Sequence, residues 1–285
     1  MENYISILIA LVILYEVEAA TNCDTLGTLV YEDIGCRPVM QEGHDCPIRY
    51  DCNFERKKHT CNFRGRSIPM SQLIGNEHNY TTCESYCYCN SRGFFICPAT
   101  DCCENIGEPL GPGCYWRYKI GACCSDGQIC PSGDKTLGQC EVNGKIYYEG
   151  ARFSAPNTCS DCICSKHFNG TLEAPDCIRR NCASQIHDYK AIASNCAPYY
   201  HVSGEEILCC PNRWICPTTS DQIVTVNPDA DIHSDLNCRF GEKTMKLGEG
   251  LHTKVVHWGK IKNAKCECIL PPFLTCKPMS EAALN

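Results

Sequence analysis

Apolar residues in this chain come singly or in short runs between Cys, Gly, Pro and Asn, and no stretch keeps a helical period over three turns. Where a pattern emerges, it is that of strands. "GKIYYEGARF" (Gly144–Phe153) sets β-branched and aromatic residues between glycines, as short hairpin strands do. "HTKVVHWGKIK" (His252–Lys262) alternates apolar with polar positions and predicts a hairpin around Gly259. "EEILCC" (Glu205–Cys210) predicts another brief strand. "PTTSDQIVTVNPDADIHSDLN" (Pro217–Asn237) has no cysteine, is rich in Pro, Asp and Ser, and reads as a linker.

The one long apolar run is "ISILIALVILY" (Ile5–Tyr15), followed by small Ala19 and Ala20. It is far short of the roughly 20 residues a bilayer-spanning helix needs. It fits the core of a signal peptide over residues 1–19, although that segment carries Glu2 and neither Lys nor Arg. A retained helical anchor is the alternative. With no second such run, the mature chain is expected to lack a membrane span and to be secreted, extracellular and oxidised.

Cysteine changes the picture most. The chain has 285 residues and 29 cysteines, the density of a disulfide scaffold. Zinc sites use few ligands each and often recruit histidine, and the nine histidines here are scattered without metal-ligand spacing. No metal or cofactor is expected. "CCSDGQICP" (Cys123–Pro131) and "CCPNRWICP" (Cys209–Pro217) place two thiols side by side. Consecutive α-carbons are about 3.8 Å apart, less than a relaxed disulfide spans. Each member of such a step should therefore reach a different partner and staple two segments to one point.

Aligning the two steps exposes a repeat. The later unit runs Cys140, Cys159, Cys162, Cys164, Cys177, Cys182, Cys196, Cys209, Cys210, Cys216. The earlier runs Cys61, Cys83, Cys87, Cys89, Cys97, Cys102, Cys103, Cys114, Cys123, Cys124, Cys130. At the front, "GCRPVMQEGHDCPIRYDC" (Gly35–Cys52) repeats the ending of a unit with Asp45 in place of the first paired cysteine. At the back, Cys238, Cys266, Cys268 and Cys276 repeat the opening of a unit without the cysteine that should precede Cys266. The chain reads as half, whole, whole, half. The odd thiol falls at Cys102 or Cys103, free or paired across units or chains. Spacing does not give the connectivity. The halves could complete a module between chains by head-to-tail association, or each could be closed by its own disulfides.

The whole units resemble von Willebrand factor type C modules, the chordin-like cysteine-rich repeats. The resemblance rests on the ten-cysteine order, the "CSDCIC" step, "CEVNGKIYYEGARF" and the CC-x5-C-P ending. It covers residues 140–216 and 61–130 well, and 23–52 and 238–276 in part. It implies a small disulfide-rich β fold with tandem modules, little helix and no single large core. The divisions are a signal peptide (1–19), a partial module (20–56), two modules (57–133 and 134–217), a linker (218–237) and a partial module (238–285). Modules of this family can bind growth factors of the bone-morphogenetic type through the first subdomain and the segment before it. Here that would be Ser67–Tyr80 and Ile146–Phe153.

Enzyme chemistry finds no support: HExxH, G-x-S-x-G and P-loop motifs are absent. "DADIHSD" (Asp229–Asp235) lacks the glycine turn of a calcium loop. The formal charge is −7, or −4 once Glu2, Glu16 and Glu18 leave with the signal peptide. Against this balance Arg56, Lys57, Lys58, Arg64 and Arg66 form a basic cluster, and the terminal fragment adds Arg239, Lys243, Lys246, Lys254, Lys260, Lys262 and Lys265. Such clusters suit sulfated glycans; nucleic acid is not an expected partner outside the cell. Asn79 and Asn169 begin glycosylation acceptor triplets. Leu73, Ile74, Tyr80, Tyr86, Tyr88, Tyr199 and Tyr200 are candidate anchors, or core residues packed on the disulfides. The expected function is capture of an extracellular protein ligand. The alternatives are a structural or self-associating matrix component and, further off, a protease inhibitor.

Overall fold

The computed structural model describes residues 23–54, 59–74, 83–84, 86–102, 104, 106–107, 109–130, 137–155, 157–202, 207–230, 235–257 (except the His257 side chain) and 259–279. The segment 1–19 expected to be a signal peptide, with Arg56, Lys57, Lys58, Asn79, Tyr80 and Cys103, lies outside them.

The fold is mostly short strands. In the front segment a short helix, Thr28–Asp33, precedes β1 (Arg37–Val39) and β2 (Arg49–Asp51), which pair antiparallel. Residues 57–133 hold three two-stranded ribbons: β3 (Thr60–Phe63) with β4 (Arg66–Pro69), β5 (Tyr88–Cys89) with β6 (Phe95–Ile96), and β7 (Tyr115–Arg117) with β8 (Gly127–Ile129). Next come the hairpin β9 (Gln139–Val142) and β10 (Lys145–Tyr148), then a three-stranded sheet of β11 (Arg152–Ser154), β12 (Ser160–Ile163) and β13 (Cys177–Arg179). Helices Ser184–His187 and Tyr189–Ala193 lead to β14 (Ala197–Tyr199) and β15 (Arg213–Ile215). The chain ends with β16 (Val224–Thr225), the hairpin β17 (Asn237–Phe240) and β18 (Lys243–Lys246), and the strands β19 (Glu249–His257), β20 (Lys260–Glu267) and β21 (Thr275–Pro278).

Disulfides explain why such short elements persist, since each cross-link is worth roughly 2–4 kcal/mol. A first-half pattern occurs three times: Cys61–Cys89 with Cys87–Cys97, Cys140–Cys164 with Cys162–Cys177, and Cys238–Cys268 with Cys266–Cys276. So does a second-half pattern: Cys23–Cys46 with Cys36–Cys52, Cys102–Cys124 with Cys114–Cys130, and Cys182–Cys210 with Cys196–Cys216. Cys83–Cys123 and Cys159–Cys209 then join first to second halves. Each adjacent pair thus divides its bonds, Cys123 from Cys124 and Cys209 from Cys210. Cys102, one candidate for the odd thiol, is paired with Cys124; Cys103 is the cysteine outside these bonds and outside the described residues.

The tandem units and the stretch read as a linker do not pack separately. Four small buried clusters replace a single core, and three of them draw on more than one unit. Ala183 and Ile186 of the second unit complete the Phe63–Phe95 cluster of the first. The terminal first half shares a six-stranded sheet, ordered β15-β14-β21-β20-β19-β16, with the second unit. The proposed linker belongs to that sheet, because β16 pairs with Gly250 and Glu249. The physical reason is surface: a module this small buries too little apolar area alone. "EEILCC" also departs from expectation. Its described part, Ile207–Cys210, is not a strand; Leu208 is buried and its N–H donates to Asp24 O at 3.2 Å.

The front and terminal halves meet within one chain. Tyr31 stacks between Tyr50 (4.5 Å between centroids) and Phe273 (5.6 Å). Its hydroxyl donates to Leu270 O at 2.6 Å and accepts from Phe273 N at 3.0 Å. Tyr50 N donates to Pro271 O at 2.9 Å, and Trp214 meets Phe273 edge-on at 5.6 Å. Both halves are also closed by their own disulfides. Gly35, at φ +77°, lets the front segment pass the first unit: a Cβ there would lie 2.6 Å from the Arg64 Cα.

Phe273→Ala should cost roughly 3–5 kcal/mol, and Tyr31→Phe roughly 1–3 kcal/mol, because two buried backbone groups lose their partner. Denaturant unfolding of the oxidised protein checks both; unchanged midpoints would show that the closure carries no stability.

Candidate binding surfaces

A cleft of about 1140 Å³ opens where the front segment and the two whole units converge. The helix Thr28–Asp33 contributes Glu32 and Asp33, the end of β13 contributes Ile178 and Arg179, and the loop after β7 contributes Lys119–Ala122. Its charges are committed to neighbours. Arg179 donates to Asp24 Oδ2 at 2.8 Å and to Glu32 Oε2 at 3.1 Å, bonds made across about 150 residues of chain. Hydrogen bonding to Asp24 first, and to Glu32, raises its pKa against the opposing effect of burial. Arg180 binds Asp161 Oδ1 and Ser154 Oγ, both at 2.9 Å. Arg152 donates to Ala122 O and Cys123 O and lies 4.1 Å over the Tyr118 ring. Arg152 and Arg179 hold units together and Arg180 braces the β11–β12–β13 sheet; none of the three presents a vacant anion site.

Arg64 behaves in the same way. Its Nε donates to Asp33 O at 3.1 Å, a guanidinium nitrogen lies 3.7 Å from Asp33 Oδ1, and its backbone N donates to Gln185 Oε1 at 2.6 Å. Only Arg66 of the described cluster residues stands exposed without such a bond being formed. The structure therefore draws Arg64 away from the glycan site that the linear cluster suggested. Asn169 sits exposed in its loop, with Oδ1 accepting from Thr171 N at 2.9 Å. Sulfurs of Cys102, Cys123 and Cys124 gather closely, but all are in disulfides and offer no thiolate to a metal.

The aromatic candidates separate cleanly. Tyr199 and Tyr200 are buried, with Tyr200 Oη beneath Gly27, where a Cβ would approach it to 2.8 Å. They are core, and so is Ile74. Leu73, Tyr86 and Tyr88 are exposed, Tyr86 at 72%. Tyr88 lies directly opposite Ile96 in the β5–β6 pair, and an isolated bridge sets Leu73 beside Tyr88. Directly opposed residues share a face, so Leu73, Tyr88 and Ile96 form an apolar row across three chain segments. Ile96 was not singled out by sequence; its signal is register, which spacing does not reveal. In the second unit, Ile146 and Tyr148 are exposed on β10, while Tyr147 turns inward and stacks on Phe153 at 4.4 Å. Each whole unit thus shows an apolar face within or beside the segments Ser67–Tyr80 and Ile146–Phe153.

No family model, curated protein or solved structure matches the chain.

Burial pushes the Asp33 carboxyl above its ordinary value, against the Ser184 N–H and the Arg64 charge, which pull it down. The folded state then holds this proton to higher pH than the unfolded chain does. Its contribution to stability is present below the unfolded value of about 3.9 and is lost as pH rises through the raised folded value. The stability of the native chain relative to Asp33→Asn should accordingly fall over that rise. Paired melting curves between about pH 3 and pH 7 test it; a constant or rising difference would assign the pH dependence elsewhere.

Proposed function

We propose that the protein is a secreted, non-enzymatic binding protein that captures an extracellular protein ligand, with the Leu73–Tyr88–Ile96 row and neighbouring Tyr86 as the contact. The observation that carries this reading is the row itself. Contiguous exposed apolar side chains on a small rigid module mark interaction sites more often than scattered ones do, and tyrosine is a frequent anchor. The disulfides suit an oxidising compartment, and no helix among the described residues is long and apolar enough to cross a membrane. The signal peptide over residues 1–19 and tandem von Willebrand factor C-like modules belong to the same reading. Within it, the ligand is a growth factor of the bone-morphogenetic class and the mechanism is occlusion of its receptor-binding surface. Two apolar faces on one chain, one per whole unit, allow both to engage a dimeric ligand with a gain in avidity.

A second reading is self-association, as a matrix component would require. Val256 and Ile261, opposed at the end of the β19–β20 hairpin and exposed at 53% and 70%, favour it. The two readings separate in one experiment. Immobilised residues 20–285 are titrated with a dimeric bone-morphogenetic-type growth factor, beside the Leu73→Glu/Tyr86→Ala variant and a reduced control. Saturable binding that weakens by about 30-fold in the variant, near 2 kcal/mol, is the expected result. Absence of binding, together with concentration-dependent multimers of the protein alone, would put self-association in its place.

A further inference from the structure

Three strands of the terminal sheet carry basic side chains side by side. His252 on β19 lies directly opposite Lys265 on β20, and Lys265 lies directly opposite Lys277 on β21. Opposed residues share a face, so these three form a row across the sheet. Lys254, two residues along β19, joins the same face. The other face of these strands is core: Leu251, Ala264, Cys266 and Cys276 are buried there. On the lysine-bearing face His252 and Lys254 are exposed and Lys265 and Lys277 half-buried, while Glu267 and Thr275 at its other end are buried.

Lys265 and Lys277 are like charges directly opposed on paired strands, a repulsion that Glu267 offsets. The strands carry Glu249 and Glu267. Glu249 is turned to the backbone N–H of Lys246 at 2.7 Å, while Glu267 holds Lys265 at 3.0 Å. Burial pushes the Lys277 ammonium below its ordinary value, and Glu267 pulls it back up more strongly than Lys265 pushes it down. Lys260 and Lys262 stand exposed nearer the hairpin end. Lys254, Lys265 and Lys277 share this face with the single carboxylate of Glu267, which leaves a local positive excess for a polyanion to meet.

We propose that this face binds a sulfated polysaccharide. Neighbouring strands lie about 4.8 Å apart and alternate residues about 6.8 Å apart, so the row presents a short grid of cations to closely spaced sulfates. The whole chain carries −7, so attraction must come from this local patch and not from the net field. Anionic lipid is the other polyanionic surface, but it is concentrated on the cytoplasmic leaflet, and a chain this rich in disulfides belongs on the opposite side. The site is separate from the apolar row on the first whole unit and stands independently of the ligand proposed there.

The test uses the disulfide-bonded chain, residues 20–285, and heparin as the probe. Lys254→Ala/Lys277→Ala removes two cations while sparing the Lys265–Glu267 pair, so Glu267 keeps an ion-pair partner, and an unchanged unfolding midpoint checks that the variant is folded. Lys145→Ala/Lys166→Ala removes equal charge from the second whole unit. Native protein should be retained at about 0.15 M salt. The Lys254/Lys277 variant should bind at least about tenfold more weakly, with a salt dependence shallower by about 1.5 units of log K per log salt, and the control should match the native protein. Three results would overturn the proposal: no retention of the native chain, equal loss in both variants, or loss confined to Arg56→Ala/Lys57→Ala/Lys58→Ala. Binding to phosphatidylserine vesicles without binding to heparin would also overturn it, and would identify a membrane surface.

Discussion

Cys209 and Cys210 share a peptide bond, yet their sulfurs reach Cys159 and Cys182, residues 50 and 28 positions upstream. Cys123 and Cys124 do the same toward Cys83 and Cys102. Geometry forces this division, because adjacent α-carbons are too close for an easy bond between them. The consequence is that each whole unit has one point where its two halves are covalently joined. Strands of two to four residues can then survive without a large core, since the cross-links already restrict the unfolded chain.

The partial modules show what replaces that junction. Asp45 occupies the first-cysteine position in the front half, and the terminal half lacks the cysteine before Cys266. Both ends of the junction are missing together. In its place stand Tyr31, Tyr50, Trp214 and Phe273, with the Tyr31 hydroxyl bonded on both sides to the loop at 270–273. Arg179, in the second whole unit, holds the same front half through ion pairs to Asp24 and Glu32. Aromatic burial and the Tyr31 hydrogen bonds thus do for the split pair what a disulfide does for the whole units.

How much of this was legible depends on range. The β19–β20 hairpin follows from alternation between His252 and Lys262. The turn between β9 and β10 falls at Asn143–Gly144, just where the Gly144–Phe153 pattern starts. The helices Ser184–His187 and Tyr189–Ala193 were hidden, because four or five residues cannot display a period. β16 was hidden in a polar stretch, since two residues paired with Glu249 and Gly250 leave no alternation. Tyr199 and Tyr200 could have been anchors or core by composition; only the packing against Gly27 and the terminal strands decides. The surface rows were least visible. Leu73 with Tyr88 and Ile96, or Lys265 with Lys277, become neighbours through register, and register is a property of paired strands and not of either strand alone.

The closure of the chain on itself has a consequence in time. Tyr31 precedes Phe273, whose N–H it accepts, by 242 positions, so it leaves the ribosome long before its partner. Segments fold from the amino terminus as they emerge, but the front half cannot bury this ring face until the residues around Phe273 have been made. During that interval Cys23–Cys46 and Cys36–Cys52 are the bonds that can hold it in shape. The two disulfide loops of the front segment therefore act as a scaffold in waiting until β20, β21 and the loop between them arrive.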